Sequence, residues 1–144
     1  PSLSELASRS DFVSIHIPLD DETRKLIGEP FFKAMKPTAY LINTSRGAIV
    51  DEEALTKALD SGEIAGAGLD VFEQEPTPPN NPLLKMDNVI VTPHTAGSSV
   101  ESTAASLRRV GEEAARVLKG TWPMSLVNPE VRARIPMRSP AVNP

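Results

Sequence analysis

Four short apolar runs, separated by stretches with helical spacing, constrain the fold of this chain more than any other feature of its sequence. The runs lie at residues 11–18, 39–44, 64–72 and 88–92. Alternation of strand-like and helix-like segments is typical of βαβ units, in which crossover helices join parallel strands. We therefore predict an α/β fold with a parallel sheet.

Capping residues and prolines predict where the intervening helices begin and end. A first helix is predicted over residues 30–35, since Pro30 is tolerated in a first turn and Pro37 cannot continue a helix. Asp51 is the predicted N-cap of a second helix, and Gly62 is expected to end it. Both helices fall between predicted strands, as crossover connections should.

The longest helix is predicted to follow the fourth strand. Ser98 and Glu101 have the spacing of a capping box, and Gly120 is expected to end the helix. Its apolar positions step by three and four residues: Val100, Ala104, Leu107, Val110, Ala114 and Val117. The tail after Trp122 contains prolines and no periodicity, so we expect a docking strap or a disordered segment.

Composition excludes several classes of function. The 144 residues, 40% of them hydrophobic, suffice for one core, and so for one soluble domain or a large piece of a bigger protein. With a net charge of -4 the chain has no basic stripe, and nucleic acid is not an expected partner. No apolar run approaches the roughly 20 residues of a membrane span, so we expect a cytoplasmic protein without a membrane partner. Without cysteines, and with His16 and His94 far apart, no metal site is expected.

Three charged residues each follow one of the predicted strands. Arg46 follows the second strand, Glu75 the third and His94 the fourth. Because ligands of open parallel sheets bind outside the carboxyl ends of the strands, these side chains can converge on one substrate. An arginine can fork onto a carboxylate, and a histidine can shuttle a proton near neutral pH. A carboxylate beside a histidine favours the imidazolium and fixes its tautomer. The three residues together predict carboxylate binding combined with proton transfer.

Each of these residues also has an ordinary structural interpretation. Arginine is most often a surface residue, and a lone histidine is often a hydrogen-bonded structural residue. We interpret His16 as a residue that only lines or caps a strand. The glycines of Gly66-Ala67-Gly68 lie inside a predicted strand rather than between a strand and a helix, so close packing is favoured over phosphate binding.

Four stretches of the chain closely resemble the NAD-dependent D-2-hydroxyacid dehydrogenases. They are residues 10–19 with 22–24, residues 35–47, residues 66–76 and residues 88–94, in the order and approximate spacing of that family. The resemblance covers most of residues 1–120. It implies that Arg46 binds the substrate carboxylate and helps polarise the carbonyl, that His94 is the acid/base, and that Glu75 is its carboxylate partner.

The resemblance also implies a nicotinamide cofactor, NAD or NADP, with NAD favoured. Ile17 and Pro18 fall on the adenosine side, and Thr23 lies in the turn that follows. The remaining implied contacts lie at the nicotinamide end: Thr44, Ser45, Arg46, Asp70, His94, Ala96 and Gly97. Asp70 matches an aspartate near the carboxamide, and its alternative interpretation is a strand-end cap.

The implied activity is hydride transfer between NAD(P)H and a small 2-keto acid or D-2-hydroxy acid, typically of the glyoxylate/hydroxypyruvate reductase or phosphoglycerate dehydrogenase type. The expected partners are that small substrate and, in the full-length protein, a second copy, because members of the family commonly dimerise through the cofactor domain. An NAD-sensing corepressor or scaffold of the same fold is the alternative, since such proteins can retain the three residues. Formate dehydrogenase is disfavoured because that branch has glutamine at the position of Glu75.

The family's glycine-rich pyrophosphate loop and ribose-binding acidic residue are expected before position 1, and most of the substrate domain is also unmatched. We predict the C-terminal half of a Rossmann-type parallel-sheet NAD-binding domain at residues 1–98, a long connecting helix at 99–120, and a tail at 121–144 that returns toward the substrate domain. In the 3-2-1-4-5-6 strand order these strands form one outer half. We predict that this chain alone does not bind NAD tightly and does not turn over.

Overall fold

The computed structural model describes residues 1–136 and contains the predicted parallel sheet. Its four strands are β1 (Phe12–Ile15), β2 (Tyr40–Asn43), β3 (Gly66–Leu69) and β4 (Val89–Val91). They pair in the order β1-β2-β3-β4, and every pair is parallel. The prediction of a parallel α/β fold is confirmed. Each strand is shorter than its apolar run, although backbone hydrogen bonds such as that from the Thr92 N–H to the Leu69 carbonyl extend beyond the strand ends.

The chain forms two compact units, of which the first is Pro1–Ala96 and the second begins at Gly97. The first unit contains the sheet and three helices: α1 (Leu3–Arg9), α2 (Glu29–Ala34) and α3 (Glu52–Asp60). None of the helices within residues 1–136 combines the length and apolarity that a membrane span requires.

Capping determines the ends of α3 as the sequence predicts. The Asp51 carboxylate accepts hydrogen bonds from the backbone N–H groups of Glu53 and Ala54, at 3.1 and 3.2 Å. After the helix, Gly62 adopts φ +73, a left-handed conformation that glycine accommodates without steric cost. The helix α2 begins one residue before the predicted start, with Pro30 in its first turn.

The hydrophobic core lies against one face of the sheet. The in-register residues Val13, Leu41 and Ala67 point to this face and are buried. Helices α1, α2 and α3 supply the other side of the core: Ala7, Phe31, Phe32, Leu55, Ala58 and Leu59. On the opposite face Phe12 and Tyr40 stack with ring centroids 5.5 Å apart, and both remain exposed. The three helices therefore cover one face of the sheet.

Of the two glycines in β3, only Gly66 is required by close packing. A Cβ at Gly66 would lie 2.5 Å from the carbonyl oxygen of Asn88, which leaves no room for a side chain. At Gly68 the nearest atom to such a Cβ is Ile42 Cγ1, at 3.9 Å. The prediction of close packing is confirmed for Gly66, and Gly68 lies in ordinary van der Waals contact.

The second unit is built around the long helix α4 (Val100–Leu118). Its capping box is formed by Ser99 and Ser102, so the predicted pair of Ser98 and Glu101 is wrong by one residue. The Ser102 hydroxyl accepts from the Ser99 N–H at 2.8 Å and also donates to the Gly97 carbonyl at 2.8 Å. A glutamate carboxylate cannot make that second bond, because it has no proton to donate.

The segment after α4 folds locally. Gly120 adopts φ +72 two residues beyond the end of the helix, in agreement with the predicted stop. The Arg132 guanidinium lies over the Trp122 ring, 5.7 Å from its centroid, and a 3₁₀ helix spans Pro129–Ala133. Residues 137–144 of the predicted tail lie outside the described residues. The assignment of 1–98, 99–120 and 121–144 to three functional segments stays a prediction.

Candidate active site

The three charged residues singled out by the sequence lie beyond the carboxyl ends of neighbouring strands. Arg46 follows β2, Glu75 follows β3, and His94 follows β4. Since β2, β3 and β4 are adjacent and parallel, all three residues emerge from the same edge of the sheet. This is the edge at which open α/β sheets bind ligands.

Glu75 and His94 form a direct pair. The Nδ1 atom of the His94 ring lies 2.7 Å from Oε2 of Glu75, while Oε1 of Glu75 accepts from the Phe72 N–H at 3.0 Å. The hydrogen bond to His94, followed by that from Phe72, holds the pKa of Glu75 below its ordinary value despite partial burial. An ionised carboxylate can only accept, so Nδ1 carries the proton in this contact. The other ring nitrogen, Nε2, is then free to exchange a proton with a ligand.

Asp70 organises the turn in which His94 lies. Its buried carboxylate accepts from the Thr92 hydroxyl at 2.5 Å and from the backbone N–H groups of Thr95 and Ala96 at 2.8 and 2.9 Å. Burial by itself raises the pKa of Asp70, but these three hydrogen bonds outweigh it and the pKa lies below the ordinary value. The His94 N–H donates to the Asp70 carbonyl at 2.9 Å. These contacts favour the interpretation of Asp70 as a strand-end cap, and its contact with a carboxamide stays a prediction.

His94 has an unusual backbone conformation. Its φ is +54, in the left-handed region that residues other than glycine seldom occupy. Such a conformation persists only where the surroundings enforce it, and residues held in this way cluster at functional sites. The bonds between the 92–96 turn and Asp70 are the structural cause here.

Arg46 is positioned by a buried asparagine at the end of β2. Asn43, which is 1% exposed, donates from Nδ2 to the Arg46 carbonyl at 3.0 Å and accepts from the Ser45 N–H at 3.0 Å. The exposed guanidinium of Arg46 donates to the Ser45 carbonyl at 2.7 Å. Its remaining N–H groups stay available to an incoming carboxylate.

Of the three residues, Glu75 and His94 are in direct contact, and Arg46 follows the neighbouring strand β2. Glu75 and His94 line one cavity of about 410 Å³ together with Asp70, whereas Arg46 lines another of about 470 Å³. Within residues 1–136, Arg46 makes no hydrogen bond or ion pair with Glu75 or His94. Its charge nevertheless contributes to the lowered pKa of Glu75, as the smallest of the causes.

Several predicted cofactor positions share the cavity beside Arg46. It is lined by Ile17, Pro18 and Ser45, and also by His16 and Leu19. The Ser45 hydroxyl donates to the Ile17 carbonyl at 2.5 Å, which fastens the turn after β2 to the end of β1. The His16 ring lies 2.7 Å from the Ser14 hydroxyl of β1, in agreement with the prediction that it lines or caps a strand.

The other predicted contacts have mainly local roles in the structure. Thr23 donates to the Pro18 carbonyl at 2.8 Å and accepts from the Asp20 N–H at 2.8 Å, so it holds the turn after β1. Thr44 is exposed between β2 and Ser45. The Ala96 N–H is bound by Asp70, and Gly97 belongs to the second unit. Whether these residues touch a nucleotide stays a prediction.

Two residues important to this site, Asn43 and Thr92, were not predicted as functional. Asn43 ends β2 and donates to the turn that follows it, whereas Thr92 directly follows β4 and donates to Asp70, the residue after β3. A polar residue at the end of an apolar run was the available signal, and it is a weak one because such residues are also common in ordinary turns. The part of the chain that the structure describes contains no group of three or more histidine or acidic side chains able to hold a metal ion.

Residues 1–96 match the sequence profile of the D-isomer specific 2-hydroxyacid dehydrogenase, NAD binding domain. The match covers two thirds of the chain, and the four-stranded parallel sheet agrees with it. The chain belongs to the family of D-isomer specific 2-hydroxyacid dehydrogenases.

Individual relatives support this assignment. The chain is 56% identical over 133 residues to a glyoxylate reductase of Thermofilum pendens, covering 90% of this chain and 38% of that protein. It is 44% identical over 126 residues to a D-3-phosphoglycerate dehydrogenase of Methanocaldococcus jannaschii, covering 88% of this chain and 24% of that protein. The chain therefore spans less than half the length of these relatives.

Solved structures agree in fold. The NAD-complexed D-isomer specific 2-hydroxyacid dehydrogenase of Lactobacillus delbrueckii ssp. bulgaricus superimposes with a TM-score of 0.80 at 37% identity, covering 88% of this chain and 43% of that one. An acyclic imino acid reductase, Bsp5, in complex with NADPH and D-Arg superimposes with a TM-score of 0.78 at 34% identity, covering 88% of this chain and 40% of that one. The sheet and its helices thus have the arrangement of a nicotinamide-nucleotide domain.

Proposed function

We propose that the protein containing this chain transfers a hydride between NAD(P)H and a small 2-keto acid or D-2-hydroxy acid. The observation that carries the proposal is the 2.7 Å pair of His94 Nδ1 and Glu75 at the ligand-binding edge of the sheet. A histidine whose Nδ1 is held by a carboxylate presents Nε2 as an acid or base. Members of the family to which the chain belongs carry out this class of reaction, and their names motivate glyoxylate and related keto acids as substrates.

The chain's own residues would handle the proton and the substrate carboxylate. In the reduction direction His94 donates a proton from Nε2 to the carbonyl oxygen, and Glu75 stabilises the imidazolium through Nδ1. Arg46 binds the substrate carboxylate through two parallel N–H groups and thereby orients the carbonyl. NAD(P)H, when bound, supplies the hydride. Oxidation of the hydroxy acid reverses both transfers.

The residues at the end of β1 fit a nucleotide. Ile17 and Pro18 offer an apolar surface, and the Ser45 hydroxyl and Arg46 guanidinium lie in the same cavity. An apolar surface beside a hydroxyl suits the ring and the ribose of a nucleotide, while the guanidinium is left for the substrate carboxylate. We favour NAD over NADP and propose the cytoplasm as the compartment and a homodimer as the assembly of the full-length protein.

The experiment uses the native polypeptide that contains this chain. We expect NADH-dependent reduction of at least one of glyoxylate, hydroxypyruvate and 3-phosphohydroxypyruvate. In a His94→Ala variant kcat should fall about 100- to 10,000-fold, the usual contribution of general acid–base catalysis. An unchanged kcat would refute the assigned proton transfer.

A further inference from the structure

Two glutamates outside the candidate active site make a reciprocal contact at the start of α3. The Glu73 carboxylate accepts from the Glu52 backbone N–H at 3.0 Å, and the Glu52 carboxylate accepts from the Glu73 backbone N–H. The second oxygen of Glu52 accepts from the side-chain amide of Asn81 at 3.0 Å. The chain that follows β3 is therefore attached to α3 through backbone atoms.

The groups around Glu52 and Glu73 stabilise the negative charge of both carboxylates. Nζ of Lys25 lies 3.4 Å from Glu73 and 3.4 Å from Asp51, so a cation faces the acidic side chains. The first turn of a helix also favours negative charge. Because the Lys25 side chain is half exposed, solvent weakens its charge interactions, and the hydrogen bonds to backbone N–H groups contribute more to the contact.

A second contact connects the Arg46 turn to the same segment. A Cβ on Gly47 would lie 1.8 Å from the carbonyl carbon of Phe72 and 2.4 Å from the Glu73 nitrogen. The backbone after Arg46 therefore packs directly on the Phe72–Glu73 peptide, with no space for any side chain. The Phe72 N–H in turn donates to Glu75. One short stretch of backbone thus adjoins both the arginine turn and the carboxylate that holds His94.

We propose that Glu73 is a positioning residue, which holds the segment after β3 against α3 so that Glu75 faces Nδ1 of His94. The side chains of Glu75 and His94 are 38% and 51% exposed, so solvent surrounds much of both. The direction of the Glu75 carboxylate then depends on where its backbone is anchored. Glu73, two residues earlier, provides that anchor. The inference rests on the proposed function, in which His94 moves the proton.

The test compares two substitutions at Glu73 with a matched control in the native polypeptide. Glu73→Ala removes the acceptor for the Glu52 N–H, whereas Glu73→Gln keeps an amide oxygen in the same place. Glu53→Ala is the control, since Glu53 lies one residue further along α3 and pairs with Lys57 at 2.6 Å. The measurements are kcat and KM for NADH and for the keto acid, and the NMR signal of the His94 Nδ1 proton. Circular dichroism verifies that each variant is folded.

For Glu73→Ala we expect kcat to fall about tenfold, a fraction of the full acid–base contribution, while KM for NADH stays within about twofold. The Nδ1 proton signal should weaken or broaden because the bond to Glu75 is populated less. Glu73→Gln and Glu53→Ala should stay within about twofold of the parent in kcat and keep the signal.

Two results would overturn the inference. One is a Glu73→Ala variant with the kcat and the Nδ1 signal of the parent. The other is a Glu73→Gln variant as impaired as Glu73→Ala, because the retained acceptor would then have no effect. A parent protein that reduces none of the keto acids refutes the proposed function alone, since the Nδ1 signal still tests whether Glu73 positions Glu75.

Discussion

At the scale of single residues, His94 is held by two acidic residues that act on different parts of it. Glu75 binds the ring at Nδ1, whereas Asp70 accepts the His94 backbone N–H and binds the two following amides. The ring direction and the backbone conformation are therefore fixed separately. In the proposed role of His94 as a proton donor, this arrangement would establish its geometry before substrate arrives.

Arg46→Lys tests the proposed role of the guanidinium. Lysine keeps the positive charge but loses the planar fork, so KM for the keto acid should rise about tenfold. Steady-state kinetics at saturating NADH would measure the change. Arg9→Lys is a suitable control, since Arg9 is an exposed arginine of α1 that pairs with Glu5. Unchanged KM and kcat in Arg46→Lys would remove Arg46 from the site.

Asp70→Asn tests the turn around His94 through stability. The asparagine side chain keeps one oxygen acceptor but places its NH2 donor against the backbone N–H of either Thr95 or Ala96, so we expect a loss of about 2 kcal/mol of unfolding free energy. Urea denaturation of the variant and the parent measures this. Asp60→Asn, at the exposed end of α3, should change stability by less than about 0.5 kcal/mol. Equal losses in both variants would contradict the special role of Asp70.

The lowered pKa of Asp70 also predicts how its contribution depends on pH. Because that pKa lies below the ordinary value of 3.8, the unfolded chain binds more protons than the folded chain in this range. The stabilisation is fully present above pH 3.8 and is lost as the pH falls through the lowered value. The difference in unfolding free energy between the parent and Asp70→Asn should therefore be constant from about pH 5 to 7 and shrink in stronger acid.

At the scale of elements, α3 connects the core to the candidate site. Its apolar residues Leu55 and Leu59 are buried against the sheet, while its first turn binds Glu73. The same short helix therefore stabilises the fold and anchors the segment that carries Glu75. Disorder in the first turn of α3 should therefore lower the stability of the fold and displace the segment that carries Glu75.

Substitution of the N-cap residue Asp51 tests how much capping of α3 contributes to stability. Asp51→Ala removes the acceptor of the Glu53 and Ala54 N–H groups and should lower the unfolding free energy by about 1 kcal/mol. Thermal or urea denaturation measures the loss. Asp51→Asn keeps an acceptor and should recover most of it. If Asp51→Asn is as unstable as Asp51→Ala, the stabilisation comes from charge rather than from capping.

Sequence patterns predicted the N-cap of α3 correctly but not that of α4. Asp51 is the predicted cap of α3, and the structure confirms it. Before α4 the chain offers both Ser98 and Ser99, and sequence spacing selected the wrong one. The choice depends on the Ser102 hydroxyl, which reaches both Ser99 and Gly97. These hydrogen bonds can be identified only from the three-dimensional structure of the turn.

At the scale of the whole molecule, the chain corresponds to only part of the length of its relatives, and this bears on whether it can bind a cofactor by itself. It spans 38% of a glyoxylate reductase with which it shares 56% identity. The resemblance places the pyrophosphate-binding loop outside the matched segments, and the two glycines of β3 lie within a strand and not at a helix N-terminus. In β3 these glycines do not present the backbone N–H groups of a helix N-terminus to a phosphate.

We accordingly predict that a purified polypeptide of only these 144 residues shows no measurable turnover of 2-keto acids and no tight binding of NADH. Fluorescence titration and a coupled absorbance assay would check both points. The native polypeptide, assayed in parallel, is the control. Measurable turnover by the 144-residue polypeptide would show that the prediction is wrong.

The sequence by itself determined the four strands, the helices α2, α3 and α4, the cap of α3, and the placement of Arg46, Glu75 and His94 at strand ends, but it did not predict α1. These features follow from local periodicity and residue type, which act over a few positions. Only the tertiary structure decided that Glu75 meets Nδ1 of His94, that Asp70 binds the amides after it, and that Ser45 beside Arg46 bonds to Ile17. Those contacts join residues far apart in the chain. They exist because the sheet brings its strand ends to one edge; local patterns predict that sheet, but not which side chains meet at its edge.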